Sequence, residues 1–291
     1  MPIVVTSLCF SYQRGTPFEK KVLHDINLTI EDGEFLSIIG PTQSGKTTLA
    51  QHFNALHIPQ KGTVLIDGSD PSDKNTDITS LRYKIGYVFQ NPDYQLFAPT
   101  VGEDIAFGLK NQRLARIEIQ HRVREAMAMV GLDYNTFYNR DIFALSGGQR
   151  RRTAIAGVLA CRPKVLVLDD ITAGLDPRGR DEILSVVRSL HSEQNVTIVF
   201  ISSSMDFAAK LSDRIVVMVQ GRIIMDNTVR KVLGRSGELR SIGLELPEAT
   251  AIVHLLRAKG YPLPSDILSL DEALEAIDTA LQKAGATKLW N

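Results

Sequence analysis

FLSIIGPTQSGKT, residues 35–47, is the stretch that decides the fold of this 291-residue chain. It opens with a continuous apolar run, which is typical of a strand buried on both faces. Residues 40–47 then match the pattern G-x-x-x-x-G-K-[ST], and a helix is predicted from Lys46 to about Leu56. A strand, a glycine-containing loop and a helix in this order predict a phosphate-binding loop.

The ligand predicted for this loop is a nucleoside triphosphate. Its backbone N–H groups and the positive end of the following helix are suited to phosphate oxygens. We expect Lys46 to reach the β- and γ-phosphates and Thr47 to hold Mg²⁺. The other loop residues assigned to the nucleotide are Gly40, Gln43, Ser44, Gly45 and Thr48. The alternative is a glycine turn followed by a solvated lysine.

Composition narrows the class of protein. Lys plus Arg and Asp plus Glu each number 33, so the net charge is zero and no nucleic-acid partner is expected. The two cysteines, Cys9 and Cys161, lack metal-ligand spacing, which favours a reduced cytosolic protein. The first residues lack the pattern of a signal peptide, and no apolar run approaches the ~18 residues of a membrane span. Any membrane role is therefore expected to run through a partner.

Outward from the loop, apolar strands alternate with helical patterns. Strands are predicted at 3–12, 22–30, 62–68, 85–90, 164–170 and 196–203, with a hairpin around Gln220–Gly221. Helices are predicted at 101–132, 178–190, 247–260 and 271–285, the last with a capping pair, Ser269 and Glu272. This alternation predicts an α/β fold with a mainly parallel central sheet, an antiparallel N-terminal β part and a small C-terminal helical region.

A second motif makes the assignment specific. Residues 145–149 read Leu-Ser-Gly-Gly-Gln and lie between the phosphate-binding loop and an apolar strand that ends in Asp169. Tyr12 precedes the loop, Gln90 ends an earlier strand, and residues 173–176 read Ala-Gly-Leu-Asp. In their identity and order, these motifs resemble those of the ATP-binding-cassette (ABC) ATPases.

The resemblance implies a P-loop ABC ATPase core at residues 1–235, an inserted helical subdomain at about 91–160, and a helical dimerisation region at 236–291. It also implies a head-to-tail dimer, in which each ATP lies between the phosphate-binding loop of one chain and the signature, residues 145–149, of the other. The implied Mg²⁺ residues are Thr47, Gln90 and Asp169. The further nucleotide contacts implied are Tyr12 against adenine, Ser146, Gly147, Gly148 and Gln149 of the signature, and Asp176.

Within that family, the chain is similar to the ATPases of energy-coupling factor (ECF) transporters, and closest to the second of their two types. The segments that carry this similarity are 12–23, 89–108, 153–163 and 243–274. It implies vitamin or transition-metal-ion import at the cytoplasmic face of the cell membrane. The implied partners are a second ABC ATPase, a transmembrane coupling protein and a substrate-binding membrane protein. Asp93 is then either a contact for an arginine of the coupling protein or a solvated turn carboxylate.

Four residues on the phosphate-loop side depart from the family pattern. Gln43 replaces a glycine and is expected to crowd the backbone near the phosphates. Asp170 replaces the glutamate that polarises the attacking water, and a displacement of ~1 Å can cost about 100-fold in rate. Ile171 replaces a proline, which is expected to loosen the local backbone. Ser203 replaces a histidine that contacts the γ-phosphate.

The catalytic candidates are Asp170, Ser203 and Gln90. Because the signature is intact, we hypothesise that this chain's own site binds ATP and hydrolyses it slowly, while its signature completes a partner's site. Neutral variation is the alternative. A nucleotide-binding structural or regulatory subunit with little hydrolysis also stays open, and ATPase assays of the assembled complex separate it from a transport ATPase. A soluble ABC protein of ribosomes or DNA is disfavoured by the zero net charge and the single cassette.

Overall fold

A computed structural model describes residues 1–172, 174–264 and 266–283. Within them the strands are β1 Ile3–Tyr12, β2 Lys20–Ile30, β3 Phe35–Ile39, β4 Lys61–Ile66, β5 Ile85–Val88, β6 Val165–Asp169, β7 Thr197–Ser202, β8 Arg214–Val219 and β9 Arg222–Thr228. The helices are α1 Lys46–Phe53, α2 Ile78–Lys84, α3 Val101–Asn111, α4 Arg116–Met129, α5 Tyr134–Phe137, α6 Gly147–Ala160, α7 Pro177–Gln194, α8 Met205–Leu211, α9 Val229–Leu233, α10 Ser236–Ser241, α11 Glu248–Ala258 and α12 Leu270–Lys283. The predicted α/β class is confirmed.

Contacts between residues divide the chain into two compact units. The first unit comprises Met1–Phe35 and Thr47–Ile201, and the second comprises Leu36–Lys46 and the chain from Ser202 onward. This division follows packing, whereas the boundary expected between residues 1–235 and 236–291 followed the family pattern and stays a prediction.

The first unit begins with an antiparallel sheet in which β1 pairs with β2 and with β4. Ile3 lies opposite Ile30 on one side and Ile66 on the other, and all three side chains are buried. Alternating apolar residues along β1 give this sheet one buried face. The antiparallel N-terminal part predicted from the sequence is therefore confirmed.

The same unit contains a parallel arrangement of β5, β6 and β7. Val165 is in register with Ile85 of β5 and with Thr197 of β7. Every residue of β6 and β7 is buried, which explains why their sequences are nearly continuous apolar runs rather than alternating ones. The carboxyl end of β6 carries Asp169, so this sheet edge positions the acidic residues of the site.

In the second unit, β3 pairs in parallel with β8, and β8 pairs antiparallel with β9. Val219 faces Arg222 across a two-residue turn, Gln220–Gly221, in which both residues have positive φ (47° and 74°). Such a turn matches the twist of a hairpin. The hairpin predicted at this position is confirmed.

Helices of the segment between β5 and β6 pack on one another, with α3 and α4 both against α6. The helical pattern predicted from Val101 to about Leu132 forms two helices, α3 and α4, which are separated at Gln112–Ala115, where Arg113 has a φ of 56°. A single residue in the left-handed conformation is a common helix ending. Among the helices of the described residues, none combines the length and apolar character needed to cross a bilayer.

The tail forms short helices with their own apolar cluster. Ala249 and Val253 of α11 pack with Ile267 and with Ala273 of α12. Ser269 Oγ accepts a hydrogen bond from Glu272 N at 3.1 Å, as the capping pattern predicts. Gly285, the end predicted for this helix, lies outside the described residues, as do 284 and 286–291.

Candidate nucleotide site

Glycine shapes the phosphate-binding loop, Gly40–Thr47, at two points. A side-chain carbon added at Gly40 would collide with the carbonyl oxygen of Met218 in β8. Gly45 has a φ of 99°, a conformation that residues with a Cβ rarely adopt. The carbonyl of Ser44 accepts a hydrogen bond from Gly221 N at 2.9 Å, so the β8–β9 turn supports the loop from below.

Gln43 adopts the left-handed conformation that a glycine would take at its position, with a φ of 65°, and its side chain is exposed. For a residue with a Cβ, this conformation costs about 1–2 kcal/mol. The loop therefore accommodates Gln43 in place of a glycine, with some backbone strain at that residue. Lys46 Nζ donates to the carbonyl oxygens of Gly40 (2.7 Å) and Pro41 (2.8 Å), which hold the ammonium group against the loop.

Asp169 is a buried carboxylate held by two hydroxyl donors. Thr47 Oγ1 donates to Oδ1 at 3.2 Å, and the Tyr87 hydroxyl donates to Oδ2 at 2.9 Å. Only 2% of Asp169 and 6% of Tyr87 are exposed. Burial raises the pKa of the Tyr87 hydroxyl, and the charge of Asp169 raises it further, so Tyr87 stays a proton donor.

The Thr47–Asp169 pair fits a magnesium ion. A hydroxyl and a carboxylate are the hard oxygen ligands that Mg²⁺ prefers, and it takes its remaining ligands from water and nucleotide phosphates. The described residues hold no cluster of three or more His, Cys, Asp or Glu that suits a metal ion.

Asp170, the next residue, lies at the turn that follows β6. Its φ is 47°, and its backbone N–H donates to Ile201 O at 2.9 Å. The Ile171 side chain is completely buried, and the looser backbone expected at this position stays a prediction. Gln90 Nε2 donates to Asp170 Oδ2 at 3.4 Å.

A buried arginine also faces these acids. Arg151 of α6 donates to Phe89 O at 3.1 Å and is 6% exposed. Burial lowers the pKa of its guanidinium, while the carboxylates of Asp170 and Asp169 act in the opposite direction. The positive charge of Arg151 therefore lies near enough to both carboxylates to interact with them electrostatically.

Ser203 directly follows the end of β7. It belongs to the second unit, and it is exposed. The turn around it is closed by Ser204 N, which donates to Ser202 Oγ at 3.0 Å. Within the described part of the chain, the Ser203 hydroxyl has no hydrogen-bond partner. Its short side chain lacks the reach and the ring nitrogens of the expected histidine.

The signature lies at the N-terminus of α6. Ser146 Oγ accepts from Gln149 N (3.3 Å), and Gln149 Oε1 accepts from Ser146 N (3.0 Å), which forms a capping box. Ser146 and Gly147 are exposed, and a side-chain carbon added at Gly147 would meet only open space. The first amides of a helix have no intrahelical acceptor, so this end is suited to an anion.

The remaining candidates lie on exposed turns and strand ends. Tyr12 ends β1 with 38% of its surface exposed. Asp176 caps α7 by accepting from Gly179 N at 3.1 Å, while Ala173 lies outside the described residues. Asp93 is not a solitary carboxylate, because Arg150 Nε lies 3.3 Å from its Oδ1.

Comparison with known proteins decides the family. A family model described as "ABC transporter" matches residues 23–173. The chain belongs to the ABC transporter family. It is 47% identical over 284 residues to the "Energy-coupling factor transporter ATP-binding protein EcfA2" of Clostridium acetobutylicum, covering 98% of this chain and 99% of the relative. It is 46% identical to the EcfA1 protein of Symbiobacterium thermophilum, covering 94% and 96%.

A solved structure agrees with this assignment. CbiO1 from Clostridium perfringens, described as part of the ABC transporter complex CbiONQ, matches with a TM-score of 0.71 and 36% identity over 88% of this chain and 98% of its own. The chain is therefore an ABC ATPase, with the mixed, mostly parallel sheet and helical segment expected of that fold.

In this ABC ATPase, the first unit brings Thr47 next to Asp169 and Gln90 next to Asp170, and the roles assigned to these residues at a nucleotide stay predictions. Among the described residues, Ser146 and Gln149 of the signature bond to each other and not to this group. Three residues at the site carry no sequence motif: Tyr87, Arg151 and His57, the last of which contacts Tyr12. A polar ring in the otherwise apolar β5 was the available signal for Tyr87.

Proposed function

We propose that this ABC ATPase energises an ECF-type importer of vitamins or transition-metal ions at the cytoplasmic face of the cell membrane. The observation that carries the proposal is the 47% identity to an EcfA2 protein over nearly the whole of both chains, the tail included. Its partners in this assembly are a second ABC ATPase, a transmembrane coupling protein and a substrate-binding membrane protein.

ATP binds at the phosphate-binding loop, with Lys46 on its phosphates and Tyr12 against its base. Thr47 and Asp169 hold the Mg²⁺, and Tyr87 keeps the Asp169 carboxylate oriented through the 2.9 Å hydrogen bond. When bound, the ion neutralises charge on the phosphate oxygens. Phosphoryl transfer then requires mainly positioning, which falls to Asp170 and Gln90 for the attacking water.

This chain's own site hydrolyses ATP slowly, in a heterodimer whose other site is active. Asp170 is one methylene shorter than glutamate, and its backbone is fixed by the bond to Ile201 and by the buried Ile171. A water-polarising carboxylate that lies ~1 Å too far away costs about 100-fold in rate. Ser203, exposed at its turn, offers no imidazole to the γ-phosphate.

The signature of this chain completes the partner's site. Ser146 and the amides of Gly147 and Gly148 lie at an exposed helix N-terminus, where they suit the γ-phosphate of an ATP bound to another subunit. ATP binding closes the dimer, and hydrolysis lets it open again. These movements are transmitted to the membrane partner through the Gln90 region.

Steady-state ATPase turnover of the assembled transporter tests this proposal, with Lys46→Ala or Ser146→Arg introduced into this chain. We expect Ser146→Arg to abolish turnover, because it blocks the partner's site. Lys46→Ala is expected to retain a substantial part of it. Equal loss in both variants would contradict the unequal sites, and a complex without ATPase activity would favour a regulatory subunit instead.

A further inference from the structure

The hydroxyl of Tyr12 is held by two residues of the α1 region. It lies 3.1 Å from Thr48 Oγ1 and 3.3 Å from His57 Nε2. Burial lowers the pKa of His57, so its ring is neutral near pH 7 and its Nε2 can accept the phenolic proton. Thr48 can then donate to the phenolic oxygen, which satisfies the hydroxyl in both roles.

The loop after α1, residues 54–60, is itself tied to the end of β1. Gln60 accepts from Ser11 N at 2.9 Å and donates to Ser11 O at 2.7 Å, which clamps the backbone of the residue before Tyr12. His57 N donates to Gln51 O at 3.1 Å, so the position of His57 is set by the last turn of α1. Strand end and loop therefore move as one element.

Aromatic packing supports the same cluster from beneath. The Phe10 ring lies 5.1 Å from Tyr12, 4.7 Å from His57 and 4.9 Å from His52. His52 is completely buried, and its Nδ1 lies 2.7 Å from Thr48 O. Burial lowers the pKa of His52 to about 4, so it adds no charge beneath the Tyr12 ring.

We propose that His57 is a positioning residue for nucleotide binding, which holds the Tyr12 ring in the orientation that receives the purine base. This inference rests on the proposed stacking of Tyr12 against adenine. Tyr12 is exposed at a strand end, so without the bond to its hydroxyl the ring would sample other rotamers, and ordering it would weaken binding. In the proposed site the phosphates contact the phosphate-binding loop and the first residues of α1, whereas the Tyr12 ring contacts the base.

The test is calorimetric titration of the full chain with two probes, ATP and inorganic tripolyphosphate, which has the phosphates without the base. The variants are His57→Leu, Tyr12→Phe and the double variant, with His24→Leu as the control histidine on β2. We expect each single variant to weaken ATP binding about 2–10-fold, the value of one hydrogen bond, with tripolyphosphate binding unchanged. The double variant should be no weaker than Tyr12→Phe alone, because Tyr12→Phe already removes the bond to His57.

Three results would overturn the inference. These are ATP binding in His57→Leu equal to wild type, equal losses for ATP and tripolyphosphate, and single-variant losses that multiply in the double variant. A Lys46→Ala variant distinguishes a failure of the proposed nucleotide site from a failure of the role proposed for His57. If it binds ATP as tightly as wild type, the proposed nucleotide site fails and the role of His57 fails with it. If Lys46→Ala abolishes binding while His57→Leu has no effect, only the role of His57 fails.

Discussion

Removing one hydroxyl beneath the candidate metal site, with Tyr87→Phe, is predicted to destabilise the protein measurably. The Tyr87 hydroxyl donates to Asp169 Oδ2 at 2.9 Å, and both residues are almost fully buried. In the variant this oxygen loses its donor in a place that water reaches poorly. A hydrogen bond to a charged group contributes about 1.5–3 kcal/mol, which sets the scale of the loss.

Thr47 still donates to the other carboxylate oxygen, so we expect the lower half of that range. For a chain of this size, a loss of that magnitude lowers the midpoint of thermal unfolding by about 3–8 °C. The assay is thermal unfolding of the nucleotide-free protein. The matched control is Tyr83→Phe, since the Tyr83 hydroxyl makes no hydrogen bond within the described residues. Equal midpoints for Tyr87→Phe and wild type would refute the view that Tyr87 holds Asp169.

Tyr87→Phe also tests how the free energy of unfolding depends on pH. The pKa of Tyr87 is raised by burial, then by the charge of Asp169, above the unfolded value of about 10. Above that pH the unfolded chain releases this proton and the folded chain keeps it. The stability linked to Tyr87 is therefore complete below pH ~10 and falls above it, by up to about 1.4 kcal/mol per pH unit. Tyr87→Phe should lack this component of the alkaline loss.

Two further predictions concern the phosphate-binding loop and Asp170. Asp170→Glu combined with Ser203→His is expected to raise turnover at this chain's own site by about 100-fold, read in a complex whose partner site is blocked, and unchanged turnover would argue against lost reach as the cause. Gly40→Ala is expected to abolish ATP binding, because its new methyl group collides with Met218 O, and calorimetric titration that finds normal affinity would contradict this.

The fold was largely predictable because its strands carry strong local signals. Continuous apolar runs mark β3, β6 and β7, and the pair Gln220–Gly221 marks the hairpin turn. Short helices such as α2 (Ile78–Lys84) were missed, since seven residues span too few turns to display a helical period. The break at Gln112–Ala115 was missed too, because no glycine or proline announces it.

Motifs were enough to assign those site residues whose chemistry follows from their spacing along the chain. They gave no sign of residues whose contacts form only because the fold brings distant elements together. Thr47 and Asp169 were assigned from their motifs and lie 3.2 Å apart. The roles of Tyr87 and Arg151 depend on which strand and helix pack beside β6, and sequence periodicity does not encode that adjacency. His57 belongs to the same class, since its partner Tyr12 is 45 residues away in the chain.

In the proposed ATP site, the departures from the family pattern are expected to affect the reach toward the attacking water more than the binding of nucleotide. The Thr47–Asp169–Tyr87 group that suits the metal keeps all its hydrogen bonds. The backbone N–H of Asp170 is bonded to Ile201 and the neighbouring Ile171 is buried, so we expect the turn not to recover the length that aspartate lacks relative to glutamate. Affinity for nucleotide and the positioning of water therefore depend on different atoms. A site that retains the first set and loses the second is expected to hold ATP for longer than it takes the partner's site to hydrolyse its own.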